Sequence, residues 1–314
     1  MRHRASMVDT LVVRSVRTMA MGCVLLAWAC ACLGQTDASR WAAAVTSATR
    51  LAPGARIVVL DVATGKLLAA AHLQEAVRTL AAPGSTLKPL ALYGLVAAGR
   101  WDPSRRIGCT RKLRIGGRSL ACSHPASDPM DAEQALAWSC NSYFAAVGAG
   151  LGPGELRRLL APTGLLGQTG LAADEAVAEF REPRGADENA LALLGVEGGR
   201  VTPLELAAAY RWLALQLETH PGSAAAQVVQ AGLDDSAEFG IAASAGAGGV
   251  PVAGKTGTAN LGAGTPSHGW FAGLAPAEKP QVVVVVYLPT GHGANAAAIA
   301  AELIAHSSLR KAAR

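Results

Sequence analysis

Along the chain the apolar positions change period several times, and these changes divide it into elements. Trp41 to Leu51 carries a helical spacing. Arg56 to Asp61 (RIVVLD) and Lys66 to His72 are short β-rich runs separated by Ala63-Thr64-Gly65, which predicts a hairpin. Pro83 to Gly99 opens with turn residues and continues apolar, which predicts a helix with Pro89 in its first turns, where proline is tolerated. Between Trp101 and Pro129 the chain turns basic and rich in Gly and Ser, and Gly116-Gly117 between short alternating runs predicts a second, smaller hairpin. Helical patterns run from Asp131 to about Gln216, broken at Gly152-Pro153-Gly154 and Pro183. Val252 to Ala259, Gly269 to Leu274 and Gln281 to Leu288 read as strands, Ala294 to Arg314 as a closing helix, and Ala242 to Gly249 as a loop. Strands at both ends with helices between predict an α/β fold of the α+β type: a mainly antiparallel sheet formed by both chain ends, packed with helices and a helical subdomain.

Residues 1–34 differ in character. Arginines up to Arg17 precede an apolar run from Met19 to Leu33, and the polar stretch Gln35 to Ser39 follows, the order of a signal peptide or a membrane anchor. About 15 apolar residues fall short of the roughly 20 that a spanning helix needs. Residues 1–34 are therefore expected to target the protein for export, to the periplasm or the outer face of the cytoplasmic membrane, and residues 35–314 to form one large domain. Composition agrees: 314 residues at 51% hydrophobic and 16% charged can bury a full core. Of the formal net charge of +5, the arginines before Gly34 against Asp9 carry +3, so the remainder leaves no footprint for nucleic acid.

Candidate chemistry changes the picture more. Ser85-Thr86-Leu87-Lys88 puts a hydroxyl and an amine on one face of a helix start. A serine becomes a nucleophile when a neighbouring base takes its proton, and a lysine is such a base once burial or nearby cations lower its pKa. The helix N-terminus adds N–H groups suited to an oxyanion. By itself the pattern is common, and its bland reading is an N-capped helix with a solvated lysine. Two further segments lift it. Ser139-Cys140-Asn141 interrupts a helical region, and strand-like alternation would turn Ser139 and Asn141 to one cleft and Cys140 away. Lys255-Thr256-Gly257-Thr258 lies on a predicted strand where Gly257 permits close backbone approach and the two threonines share a face.

In this order the three segments resemble the S-x-x-K, S-x-N and K-T-G set of the penicillin-binding protein and serine β-lactamase superfamily. Val58 to Leu68, Ala82 to Leu90, Trp138 to Phe144, Thr202 to Tyr210, Val252 to Asn260 and His268 to Pro276 are similar to further segments of its class B transpeptidase domains. Val196-Glu197-Gly198 departs from the family's Gly-Gln-Gly, and Pro203 to Lys255 is short. The resemblance implies a serine D,D-transpeptidase acting on peptidoglycan stem peptides and acylated by β-lactams, with cell-wall assembly proteins as partners and no catalytic cofactor. Ser85 would be the nucleophile and Lys88 its proton acceptor. Ser139 would relay a proton to the leaving group, and Asn141 would orient substrate and Lys88. Lys255 would supply cationic charge, and Thr256 and Thr258 hydroxyls for the substrate carboxylate beside Gly257. The N–H groups of Ser85 and Thr258 would form the oxyanion hole. A D,D-carboxypeptidase or a β-lactamase would use the same residues, and a non-catalytic penicillin-binding or scaffold module would keep the fold. Glu182 and Glu188 read as solvated surface rather than as deacylating bases, and Trp270 as core rather than cleft wall.

Three cysteines lie beyond residue 34. Cys109 and Cys122 flank the Gly116-Gly117 hairpin, His124 follows, and Cys140 points behind the Ser139–Asn141 pair. Three thiolates and one imidazole make a closed tetrahedral set, which predicts a structural zinc site. A Cys109–Cys122 disulfide with Cys140 buried is the competing reading, favoured by export. Some elongation-type class B proteins are similar in running a metal site from this insertion to the middle of the S-x-N motif, with other ligand types.

Overall fold

The computed structural model describes residues 39–125, 128–260 and 265–309; the expected targeting segment, residues 1–34, lies outside them. A helix over residues 39–51 (α1) leads into β1 (Arg56–Asp61) and β2 (Leu67–Ala71), followed by the short α2 (Leu73–Ala76). A 3₁₀ turn over Gly84–Leu87 runs into α3 (Lys88–Ala97), and the small hairpin β3 (Lys112–Ile115) and β4 (Arg118–Ala121) comes next. The helical part comprises α4 (Ala132–Ala137), α5 (Asn141–Ala149), α6 (Glu155–Leu160), α7 (Ala186–Leu193), α8 (Pro203–Thr219) and α9 (Ala224–Glu238). Two-residue strands β5 (Glu179–Phe180) and β6 (Gly199–Arg200) pair within it. The chain closes with β7 (Ala253–Ala259), β8 (His268–Ala275), β9 (Val282–Leu288) and α10 (Gly293–Ala305).

The five long strands form one antiparallel sheet in the order β2-β1-β9-β8-β7, so both chain ends build it, as the pattern predicts. Its central strands are buried on both faces, which is why β9 reads as an uninterrupted apolar run. Side chains alternate: Val283, Val285 and Tyr287 face the helical lobe, while Val282, Val284 and Val286 face α1 and α10. Three layers result, with a core on each side of the sheet.

One expected loop is structured. Ala243–Gly248 forms a 3₁₀ turn packed on α10, close enough that a methyl group at Gly248 would lie 2.8 Å from the Ala301 carbonyl oxygen. Small residues that look like a linker here allow backbone to approach backbone.

Candidate active site

The three motifs arrive at one cleft from three directions. Ser85 sits in the 3₁₀ turn that opens α3, and the turn is pinned on all sides. Gly84 takes a positive φ of 55° and donates its N–H to the Gly195 carbonyl at 2.9 Å. The carbonyl of Ala82 accepts from the indole N–H of buried Trp270 at 2.9 Å and from Nε2 of buried His268 at 2.9 Å. Tyr210 OH donates to the Thr86 carbonyl at 2.9 Å. Trp270 is thus core, as expected, and it braces the Ser85 turn through Ala82.

Lys88, the first residue of α3, is fully buried. Its Nζ reaches the Ser139 carbonyl at 3.0 Å, Ser139 Oγ at 3.2 Å and Asn141 Oδ1 at 2.9 Å. Burial pulls its pKa down to about 7, against a smaller upward pull from Cys140 and Cys122. Lys88 therefore has a substantial neutral fraction at neutral pH.

Ser139 and Asn141 do share the cleft, with Cys140 buried behind, but strand alternation is not the cause. Ser139 has a left-handed φ of 54°, Cys140 is extended as the N-cap of α5, and Asn141 is already the helix's first residue. Asn141 Nδ2 donates to the Ala121 carbonyl at 2.8 Å, which orients the amide with its oxygen toward Lys88.

The third wall is β7, the sheet edge. Gly257 packs so tightly on the Ser85 turn that a methyl group there would lie 2.5 Å from the Pro83 carbonyl oxygen, the close approach that the sequence predicts. The hypothetical Cβ of Gly84 would lie 3.0 Å from the Thr258 nitrogen, so the N–H groups of Ser85 and Thr258 belong to one small region. Thr258 Oγ1 accepts from the Gly293 N–H at 2.9 Å, joining β7 to the start of α10. Lys255 is fully buried on the same face of this strand as Gly257, toward the helical lobe, with Nζ donating to the Thr256 carbonyl at 3.2 Å. Burial, then the charge of Lys88, pushes its pKa well below the ordinary lysine range.

The cleft holds about 480 Å³. Besides motif residues its lining includes Ser119 and Ala121 of β4, Val196, Ile241 and His292. Sequence reasoning named only Val196 of these five, as part of the departure from the family's Gly-Gln-Gly, and did not place it in the cleft. A histidine between two glycines ahead of the closing helix was the one available signal. Glu182 pairs with Arg157 and Glu188 with Arg181, both at the surface.

Behind Asn141 lies the cysteine cluster. Cys109, Cys122 and Cys140 are free thiols, and with His124 their ligand atoms all lie within 4.8 Å of one another. Tetrahedral zinc with Zn–S of about 2.3 Å spaces sulfurs about 3.8 Å apart, within small side-chain adjustment of this arrangement. His124 Nδ1 donates to the Pro125 carbonyl at 2.6 Å, leaving the Nε2 lone pair facing Cys109 Sγ at 3.4 Å, the tautomer a metal needs. Backbone N–H groups of Arg111 and Asn141 donate to the sulfurs of Cys109 and Cys122, at 3.4 and 3.2 Å. Cys122 is pushed down to about 4 by the hydrogen bond from Cys140, whose own thiol is pushed up by that bond and by burial. The donor set fits zinc.

A serine one helical turn ahead of a buried lysine with a lowered pKa, with N–H groups converging at a strand edge, is an arrangement suited to acyl transfer, carried on an α+β scaffold. Residues 55–308 match the model of the penicillin-binding protein transpeptidase domain, and the chain belongs to that family. Among solved structures it is similar to the transpeptidase domain of Burkholderia pseudomallei penicillin-binding protein 3. That match has 21% identity and a TM-score of 0.74 over 87% of this chain and 93% of that one. A protein from Burkholderia ambifaria, described as a peptidoglycan glycosyltransferase, matches at 21% identity with a TM-score of 0.73 over 85% and 93%.

Proposed function

We propose that the chain is a serine D,D-transpeptidase that acylates itself on peptidoglycan stem peptides and is acylated at Ser85 by β-lactams. The observation that carries this reading is Lys88: buried, bonded to both Ser139 and Asn141, and close to neutral one turn after Ser85. Neutral Nζ donates to the Ser139 carbonyl and Asn141 and keeps one lone pair. Ser85 Oγ passes its proton to that lone pair and bonds to the substrate carbonyl carbon, while the Ser85 and Thr258 N–H groups hold the oxyanion. Collapse breaks the bond to the terminal D-alanine, whose nitrogen takes the proton from Lys88 through Ser139. The ester on Ser85 then passes to an acceptor amine.

Fluorescent penicillin and intact mass test the first half: one adduct is expected, and Ser85→Ala removes it. An unchanged adduct in that variant sinks the assignment. Pentapeptide turnover with and without an amine acceptor then separates transpeptidase from carboxypeptidase, and no turnover of any substrate favours a binding module. Export follows from the substrate's location, with residues 1–34 as signal peptide or anchor; protease accessibility in spheroplasts checks it.

Cys109, Cys122, His124 and Cys140 are proposed to hold a structural Zn²⁺. Its chemistry would be cross-linking, tying the β3–β4 hairpin to the start of α5. Metal analysis of untagged protein should find about one zinc per chain, with three titratable thiols after denaturation and chelation. A metal-free protein with a Cys109–Cys122 disulfide would reject it.

A further inference from the structure

Positive charge is concentrated on one side of the cleft. Residues 100–118 carry six arginines and one lysine against a single aspartate, a local +6 where the whole chain carries +5. Most of these cations are engaged. Arg100 pairs with Glu155, Arg118 pairs with Glu197, and Arg105 lies over the Trp101 ring at 5.0 Å. Arg106 donates to the Pro129 carbonyl at 2.9 Å, and Arg111 donates to the His124 carbonyl. Lys112 and Arg114 differ: both are exposed, and neither side chain has a hydrogen-bond or ion-pair partner among the described residues.

Register decides where these two point. In the β3–β4 hairpin Lys112 stands opposite Ala121 and Arg114 opposite Ser119, and directly opposed residues of an antiparallel pair project to one face. The other face, with Leu113, Ile115 and Leu120, packs on the helical core. Ser119 and Ala121 line the cleft. The cleft wall therefore continues across β4 onto β3, where two permanent cations stand one strand spacing, about 5 Å, beyond its edge. The Ala121 carbonyl accepts from Asn141 Nδ2 at 2.8 Å, which fixes this wall to the catalytic motifs.

On the transpeptidase reading the donor's terminal carboxylate lies at Thr256 and Thr258, on the sheet edge, and its acyl half runs toward the wall that Asn141 and β4 make. An extended peptide advances about 3.3 Å per residue, so two residues carry it past β4 to the β3 face. We propose that Lys112 and Arg114 form an anion subsite for the donor, binding a free carboxylate carried two residues before the D-alanine that acylates Ser85. The inference rests on that reading and deepens it, since it makes the chain select acidic stem peptides over amidated ones.

Two peptides test it, both ending in D-Ala-D-Ala and identical except that this carboxylate is free in one and a carboxamide in the other. Each is used to protect Ser85 from fluorescent penicillin, which gives an apparent affinity even where turnover is slow. The native chain should bind the acid about fivefold more tightly at low salt, the scale of two exposed charge contacts, and the preference should shrink in high salt. The double variant Lys112→Gln with Arg114→Gln should bring the two affinities together, and Lys112→Glu with Arg114→Glu should reverse their order. Equal affinities in the native chain, or no protection by either peptide, would overturn the proposal. Equal losses on both peptides in the variants would mark a structural role and overturn it too. Equal affinities combined with retention of the native chain, but not of the glutamine variant, on phosphatidylglycerol vesicles would assign the cations to an anionic lipid surface instead. Absence of any penicillin adduct in the native chain would overturn the acyl-enzyme reading and this inference with it.

Discussion

In the proposed mechanism Lys88 can take the Ser85 proton only after losing its own ammonium proton, and its surroundings decide when that happens. Burial disfavours the charged form more than nearby Cys140 and Cys122 favour it, so deprotonation falls at about 7. The sign follows directly: the neutral fraction, and with it the acylation rate, rises with pH through about 7 and falls about tenfold per unit below. Stopped-flow acylation by penicillin between pH 5 and 9 checks this, and a flat profile would remove Lys88 from the role. Lys88→Arg keeps a charge that cannot be lost at any of these pH values and should cost at least about 100-fold. At this scale the spacing of Ser85 and Lys88 was legible, because one helical turn is a local relation. The depression of Lys88 was not, since it depends on α5 and the hairpin packing over it. His292 was missed because its place in the cleft is created by β7 and β8, far away in sequence.

At the scale of elements, the sheet and both hairpins were legible from alternation and from glycine turns. The Ser139–Asn141 junction was read to the right outcome by the wrong geometry. Serine has no intrinsic preference for a left-handed backbone, and the conformation is held from outside, by Lys88 Nζ on the Ser139 carbonyl and by the helix start at Asn141. The Ser85 turn has a comparable external support in Gly195, which follows α7. Its φ is +68°, and a methyl group there would lie 2.2 Å from the Gly84 carbonyl oxygen. Gly195→Ala therefore combines backbone strain with a clash that only movement of the turn relieves. The expected cost is about 1–3 kcal/mol of stability. Acylation should slow by more than the melting shift explains, because the displaced residue adjoins Ser85. Thermal melts paired with acylation rates measured well below the melting temperature decide it; normal acylation would mean that the turn tolerates the shift.

At the scale of the molecule, each layer contributes one wall to the cleft, and none contributes a carboxylate among the described residues. The nearest acid in sequence to a lining residue is Glu197, beside Val196 and in the position where the family has glutamine. Its carboxylate is held by Arg118, so it ties the β3–β4 hairpin to the segment after α7 rather than activating water. Asp187 assists by accepting from the Gly116 N–H at 3.0 Å. With both acids engaged in bracing the hairpin, water entering an acylated cleft meets hydroxyls, an amide, apolar side chains and the imidazole of His292. That ring has Nδ1 3.3 Å from Ser267 Oγ, and no carboxylate among the described lining residues stands beside it to orient it as a base. Hydrolysis of the penicilloyl ester is therefore expected to be slow. After free penicillin is removed, the adduct should persist in intact-mass spectra, and a chromogenic cephalosporin should show a stoichiometric burst without sustained turnover. Turnover on the order of 10 s⁻¹, ordinary for an enzyme acting on its own substrate, would require a deacylating base in this cleft and would make the chain a β-lactamase.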